Sequence, residues 1–232
     1  KTTNPRRAAL DSLIATERDG RYSNLEINSA IGRTDMAPAD RGLYTRLVYG
    51  VIEKKLTLDH IIAQYSRIAP ADLDDDVLNA LRLGLYQLLW MDRVPDHAAV
   101  SETAALVQKS KVGYVNAVMR TFLRAGKTYK MPPESDFYRW CQVKYSVPAE
   151  TVRFFEESCG IDRAETEEFL TAMNREPHIG LRINRLKLTA EEAAEKCGGT
   201  LSEIAPDIVL TESLDDCVKA GLADGDWFVQ DE

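Results

Sequence analysis

The sequence predicts an α+β chain in two parts: an all-helical bundle over residues 1–130, then helices leading into a small βαββαβ sheet over residues 131–232. Three observations predict it. Through the first half, apolar residues recur at helical spacing between short polar or proline-bearing turns. Pro132 and Pro133 then break the pattern inside a polar connector, Lys127 to Ser135. In the last sixty residues, short Ile-, Val- and Leu-rich runs alternate with short helical stretches.

The elements follow in order. Asn4 followed by Pro5 reads as a helix cap and a first-turn proline, and Ala9, Leu10, Leu13 and Ile14 continue at helical spacing. Further helices are expected at roughly 22–31, 38–53, 57–66, 72–91, 96–110 and 112–125, enough for a compact bundle. The segment from Asp72 to Met91 is the expected centre. Leu73, Val77, Leu81, Leu85 and Leu88 trace one stripe, and Asp74, Asp75 and Asp76 crowd the first turn, where the positive helix end favours carboxylates. Gly84 in its middle costs about 1 kcal/mol relative to Ala, so close approach of another helix is expected there.

After the connector, helices are expected near 135–145, 148–158 and 162–174. Then come a strand from Ile179 to Asn184, a helix from Thr189 to Cys197 ended by Gly198-Gly199, strands at Leu201–Ile204 and Ile208–Thr211, a helix from Leu214 to Ala220, and a strand from Trp227 to Gln230. This order suits the ferredoxin-like arrangement, which RNA-recognition modules also use. The run Trp227 to Glu232 alternates like a strand entering a sheet, so the chain is expected to continue beyond it.

With 44% hydrophobic and 28% charged residues, the chain lies outside the disordered class. The longest apolar run, Leu83 to Met91, is too short for a bilayer and no apolar leader precedes Leu10, so a cytoplasmic location and no membrane partner are expected. The net charge of −8 hides an asymmetry: residues 1–130 carry 19 basic against 15 acidic side chains, residues 131–232 carry 10 against 22. Either the first half meets a polyanion, or the two parts simply differ in charge.

Cys141, Cys159, Cys197 and Cys217 form no CxxC pair and have no His or basic cluster beside them in sequence, which excludes a zinc site and favours reduced structural thiols. His60, His97 and His178 are isolated, so packing or hydrogen bonding is expected of each and no metal is expected. Gly198-Gly199 ends a helix instead of opening one, so it is no phosphate loop. No stretch assembles a nucleophile, a base and an electrophile holder, so no catalytic residue is expected in this chain. The strands at 179–184 and 208–211 carry Leu181, Ile183, Ile208, Val209 and Leu210 and no aromatic platform; their expected work is to position another domain.

The basic half offers a better nucleic-acid surface. Arg6 and Arg7 lie in the first turn of the first helix, Lys109 and Lys111 precede the last helix of the bundle, and Tyr114, Asn116, Arg120 and Arg124 follow on it. Cations interleaved with an aromatic suit single-stranded RNA; the alternative is a set of solvated helix faces.

Residues Leu81-Arg-Leu-Gly-Leu-Tyr-Gln-Leu-Leu89, Val94-Pro-Asp-His-Ala-Ala-Val-Ser-Glu-Thr103 and Tyr114-Val-Asn-Ala-Val-Met-Arg120 resemble the all-helical NusB domain, and the likeness extends back through Arg41–Val51 and Asn4–Leu10. Asn174-Arg-Glu-Pro177, Leu181-Arg-Ile-Asn184 and Val229-Gln-Asp231 resemble the segment that joins a NusB-like domain to the catalytic domain in the ribosomal RNA small subunit methyltransferase B (Sun/Fmu) family.

The resemblance implies an S-adenosylmethionine-dependent enzyme that methylates carbon 5 of a cytosine in 16S ribosomal RNA. Its cofactor site and two active-site cysteines would follow Glu232, so this chain alone would bind no cofactor and be inactive. It also implies RNA contact by Arg6, Arg7, Lys109, Lys111, Tyr114, Asn116 and Arg120, with Tyr114 standing where the family commonly has Phe. Asn174, Arg175, Arg182 and Asn184 would face the C-terminal methyltransferase domain. The alternative it leaves open is a non-enzymatic antitermination adaptor that binds RNA together with a ribosomal protein.

Overall fold

The computed structural model describes residues 3–19, 23–175 and 178–230. Its elements are helices α1 (Pro5–Asp19), α2 (Ser23–Arg33), α3 (Pro38–Glu53) and α4 (Lys55–Tyr65), a 3-10 turn at Pro70–Asp72, and α5 (Asp75–Trp90), α6 (Asp96–Ala104), α7 (Val112–Arg124), α8 (Phe137–Tyr145), α9 (Ala149–Cys159) and α10 (Arg163–Met173). The α+β part follows as β1 (Ile179–Ile183), α11 (Ala190–Cys197), β2 (Thr200–Leu201), β3 (Ile208–Thr211), α12 (Asp216–Asp224) and β4 (Trp227–Val229). This is the α+β architecture that the sequence predicts. The expected continuation into Asp231 and Glu232, and Glu176 and Pro177 of the joining segment, lie outside the described residues.

Local chemistry sets the helix ends. Asn4 Oδ1 accepts from the backbone N–H groups of Arg6 (2.9 Å) and Arg7 (3.2 Å), closing the start of α1 as a cap. Helix α6 stops at Ala104, six residues short of the expected end at 110. The chain turns inward there to bury Leu106 and Val107, apolar residues that in sequence mimic a continuing helix. Strand β2 is shorter than expected because Ser202 Oγ accepts from the N–H groups of Ile204 and Ala205 and folds that segment into a turn.

Helix α5 is the centre of the bundle. It touches α1, α3, α4, α6 and α7, and its positions from Val77 to Leu88 are nearly all buried. A Cβ on Gly84 would lie 2.3 Å from Met119 Cε and 3.1 Å from Thr103 Cγ2, so the absent side chain lets α6 and α7 close on α5 as expected. One cation sits deep in this packing. Arg82 binds Asp59 through Nε (2.6 Å) and Nη2 (2.8 Å) and Glu17 through Nη1 (2.8 Å), while Glu17 also accepts from Asn79 and pairs with Lys55. A buried guanidinium satisfied on both sides costs little; stripped of either carboxylate it would cost several kcal/mol.

The chain divides into two compact units, 1–171 and 172–232. The helices expected to open the second part at 131 pack with the first instead, because α8 docks on α4. Thr57 Oγ1 donates to Val143 O (2.7 Å) and Leu56 N–H to Ser146 Oγ (3.1 Å). A separate small core of Phe137, Cys141, Tyr145, Val152 and Leu170 then gathers α9 and α10 around α8. Burial lifts the Cys141 thiol to about 11 and raises that of Cys197, as inert structural thiols require.

In the second unit the sheet order is β2-β3-β1-β4, every neighbouring pair antiparallel. That is the split βαβ arrangement of the ferredoxin-like fold. Leu181, Ile183, Val209 and Trp227 form its core with Ala193 and Cys197 of α11 and Val218 of α12. Thr189 and Glu192 close a reciprocal capping box at the start of α11, and Gly198 ends that helix in the left-handed conformation.

Candidate nucleic-acid interface

The eight residues singled out in the basic half do not form one cluster. Arg6 lies half-buried at the start of α1, where its Nε donates to Gln87 Oε1 (2.7 Å) of α5. Gln87 in turn donates to Leu83 O and Thr103 Oγ1, so Arg6 ends a chain of hydrogen bonds that ties three helices together. Arg7 is exposed, with Asp11 one turn on at 3.8 Å. Lys109 is exposed as well. Lys111 is clasped by Asp76 (2.7 Å) and Asp74 (2.9 Å), and those two hydrogen bonds hold its ammonium above the ordinary lysine range. The aspartates that open α5 therefore also neutralise this lysine.

On α7, a helix advances about 100° per residue, so Tyr114 and Asn116 point about 200° apart. The structure places them accordingly. Tyr114 is half-buried, with its hydroxyl 2.6 Å from Ser66 Oγ. Asn116 and Arg120, with Val112 one turn before, line a groove of about 850 Å³ between α6 and α7, floored by Val100 and Ala104 and with His97 on its wall. Arg120 is exposed at this groove, and Arg124, one turn further, is exposed and donates to Thr121 Oγ1 (3.0 Å). The aromatic and the guanidiniums thus do not share a face as their sequence spacing suggests.

The sequence reading missed the groove itself. Its signal was present: Val112, Asn116 and Arg120 repeat every fourth residue, opposite the small side chains of α6. The histidines divide too. His60 Nε2 lies 2.7 Å from Lys130 O, the expected hydrogen-bonding role, whereas His97 and His178 are exposed and do not pack in a core.

Of the residues expected to face another domain, Asn184 is committed within its own unit. Its Nδ2 donates to Gly225 O (2.9 Å) and its Oδ1 accepts from Leu186 N–H, tying the end of β1 to the turn before β4. Arg175 and Arg182 are exposed, and Asn174 is half-buried. In the Gly198-Gly199 turn a Cβ on Gly199 would meet Leu210 O and Val209 Cγ1 at 2.6 Å, so that glycine packs directly against β3. Among the described residues no three His, Cys, Asp or Glu side chains converge as metal ligands, and no helix is long and apolar enough to cross a membrane.

Residues 3–124 match the model of the NusB family. The chain is 30% identical over 225 residues to the probable ribosomal RNA small subunit methyltransferase B of Synechocystis sp., which covers 90% of this chain and 49% of that protein. It is 30% identical over 200 residues to the protein of the same name from Bacillus subtilis, covering 84% and 44%. The chain thus spans about half the length of the curated relatives it matches. Among solved structures it resembles the crystal structure of PH0851 with a TM-score of 0.61 at 20% identity, over 100% of this chain and 54% of that one, a likeness of fold. Matched by the family model over more than half of its residues, the chain belongs to the NusB family.

Proposed function

We propose that this chain is the RNA-docking, N-terminal portion of a ribosomal RNA methyltransferase of the cytoplasm. In this reading the longer protein methylates carbon 5 of a cytosine in 16S ribosomal RNA with S-adenosylmethionine. The observation that carries it is continuity. The NusB-family match ends at residue 124, yet the likeness to proteins named as ribosomal RNA methyltransferases runs on over 90% of the chain, through a second, βαββαβ unit.

From the likeness to proteins named as methyltransferases, of which this chain spans about half, we assign cofactor binding and methyl transfer to the remainder of the longer protein. The part played by this chain is docking. Of the eight residues, Arg7, Lys109, Arg120 and Arg124 are exposed cations and supply the phosphate contacts, while Arg6, Lys111 and Tyr114 hold the helices that present them. Asn116 lines the same groove as Arg120, and its amide carries the donor and acceptor that read a base edge. The unit from residue 172 holds the catalytic domain at a fixed offset through Arg175 and the Asn174 segment.

Changing Arg7, Lys109, Arg120 and Arg124 together to Gln tests the docking. The expected result is at least a tenfold loss of affinity for 16S ribosomal RNA fragments at unchanged thermal midpoint; unchanged affinity would overturn it. The enzyme assignment is tested separately by the natural reading frame. It requires further coding sequence past Glu232, with a glycine-rich cofactor turn and Cys-bearing motifs, and a stop codon there would refute it.

A further inference from the structure

Strand β4 pairs with β1 so that Phe228 stands directly opposite Arg182, with Ile208 of β3 on the other side of Arg182. Directly opposed residues of antiparallel strands project to the same face, about 4.5–5.5 Å apart. The neighbouring pairs, Leu181 with Val209 and Ile183 with Trp227, point into the core under α11 and α12. Arg182 and Phe228 therefore project from the face without helices. Both are exposed, Phe228 at 51%, and no hydrogen bond or ion pair engages the Arg182 side chain among the described residues. The strands at 179–184 and 208–211 carry no aromatic; the ring comes from the fourth strand, which topology brings beside the first.

Three further features belong to this face. Arg182 is the sole charged residue in the four strands, while the acidic side chains among the described residues of the unit lie on α11, α12 and the turns. Gly180, two residues before Arg182, is buried, and a Cβ there would lie 2.2 Å from Gln230 O, so its missing side chain lets the chain after β4 approach closely. Gln230 N–H donates to Gly180 O (2.9 Å), so the ladder runs one residue past β4 and alternation puts the exposed Gln230 amide on the same side as Phe228. A ring, a guanidinium and an amide are thus gathered in one place.

Resting on the RNA-docking reading above, we propose that this face binds single-stranded RNA, stacking one unpaired base on Phe228 while Arg182 contacts the flanking phosphate and Gln230 meets the base edge. Base stacking on an aromatic tolerates any sequence and needs little area. A stable protein interface needs about 800 Å² per partner, and here Ile208 is buried and Leu210 half-buried, which leaves Phe228 as the exposed apolar anchor. With Arg182 the one charged residue of the four strands, a single phosphate contact is favoured over an extended one.

The test uses the full 232-residue chain and a fluorescein-labelled 12-nucleotide single-stranded RNA, with a duplex of the same length as control. Phe228→Ala should weaken single-strand binding by about 5- to 100-fold and leave duplex binding and the thermal midpoint unchanged, while Phe228→Trp retains affinity. Arg182→Gln should flatten the salt dependence by about 0.7 in log–log slope. If Phe228→Ala has no effect while the Arg120 and Arg124 variants still weaken binding, the sheet face does not stack RNA, its role is protein contact, and the docking reading survives. If no variant on either unit changes affinity, both readings fall.

Discussion

Tyr114 and Asn116 stand two residues apart on α7 and serve different parts of the bundle. The Tyr114 hydroxyl lies 2.6 Å from Ser66 Oγ beyond α4, whereas Asn116 lines the groove between α7 and α6. Their separation assigns the ring to packing and the amide to the surface. Tyr114→Phe should accordingly lose about 1 kcal/mol of stability, the worth of one hydrogen bond, and leave RNA affinity within about twofold. Thermal melts and anisotropy titrations check the two halves, and a large affinity loss would return the hydroxyl to the RNA interface.

Arg120 and Arg124 lie one turn apart, both exposed and free of carboxylate partners among the described residues, whereas Lys111 is held by Asp74 and Asp76. Arg120→Gln with Arg124→Gln is expected to lower RNA affinity by more than Lys111→Gln does. The lysine change should instead cost stability, because it leaves two neighbouring aspartates uncompensated. A larger affinity loss from Lys111→Gln at unchanged stability would reverse this assignment.

Acid should unlock the bundle through Glu17. Burial alone would raise its carboxyl, but hydrogen bonds from Lys55 and Asn79 and the charge of Arg82 outweigh that and hold it at about 2, below its ordinary 4.5. A depressed carboxyl contributes stability that is fully present above pH 4.5 and is lost as pH falls toward 2. The amount is on the order of 2 kcal/mol, allowing for solvent screening at a side chain 31% exposed. Urea unfolding from pH 7 to 2 should show this loss, and Glu17→Gln should flatten it. An unchanged acid limb in Glu17→Gln would place the sensitivity elsewhere.

The purified chain should neither transfer methyl groups to 16S ribosomal RNA nor release heat on titration with S-adenosylmethionine. A saturable calorimetric signal would show a cofactor site within these residues.

Much of this architecture was legible in the sequence, and the reasons are specific. Helix α3 was expected over 38–53 and spans Pro38–Glu53, since a first-turn proline and a continuous apolar stripe are both local signals. The order of the βαββαβ elements was equally local. What failed depended on contacts between distant residues. Helix α6 was read too long because Leu106 and Val107 look alike whether they extend a helix or fold inward. Arg6 and Lys111 looked like free cations because their partners, Gln87 and Asp76, lie 81 and 35 residues away. Phe228 went unnoticed as a sheet-face aromatic because its neighbour Arg182 adjoins it only once the strand order is known.

Docking by exposed cations is the central claim, and the salt dependence of RNA binding tests it most directly. Equilibrium affinity of the 232-residue chain for single-stranded ribosomal RNA should be measured across monovalent salt concentrations. With three or four phosphates neutralised, the logarithm of affinity should fall with the logarithm of salt at a slope of about −2 to −3, at ~0.7 per contact. A slope near zero would contradict the account.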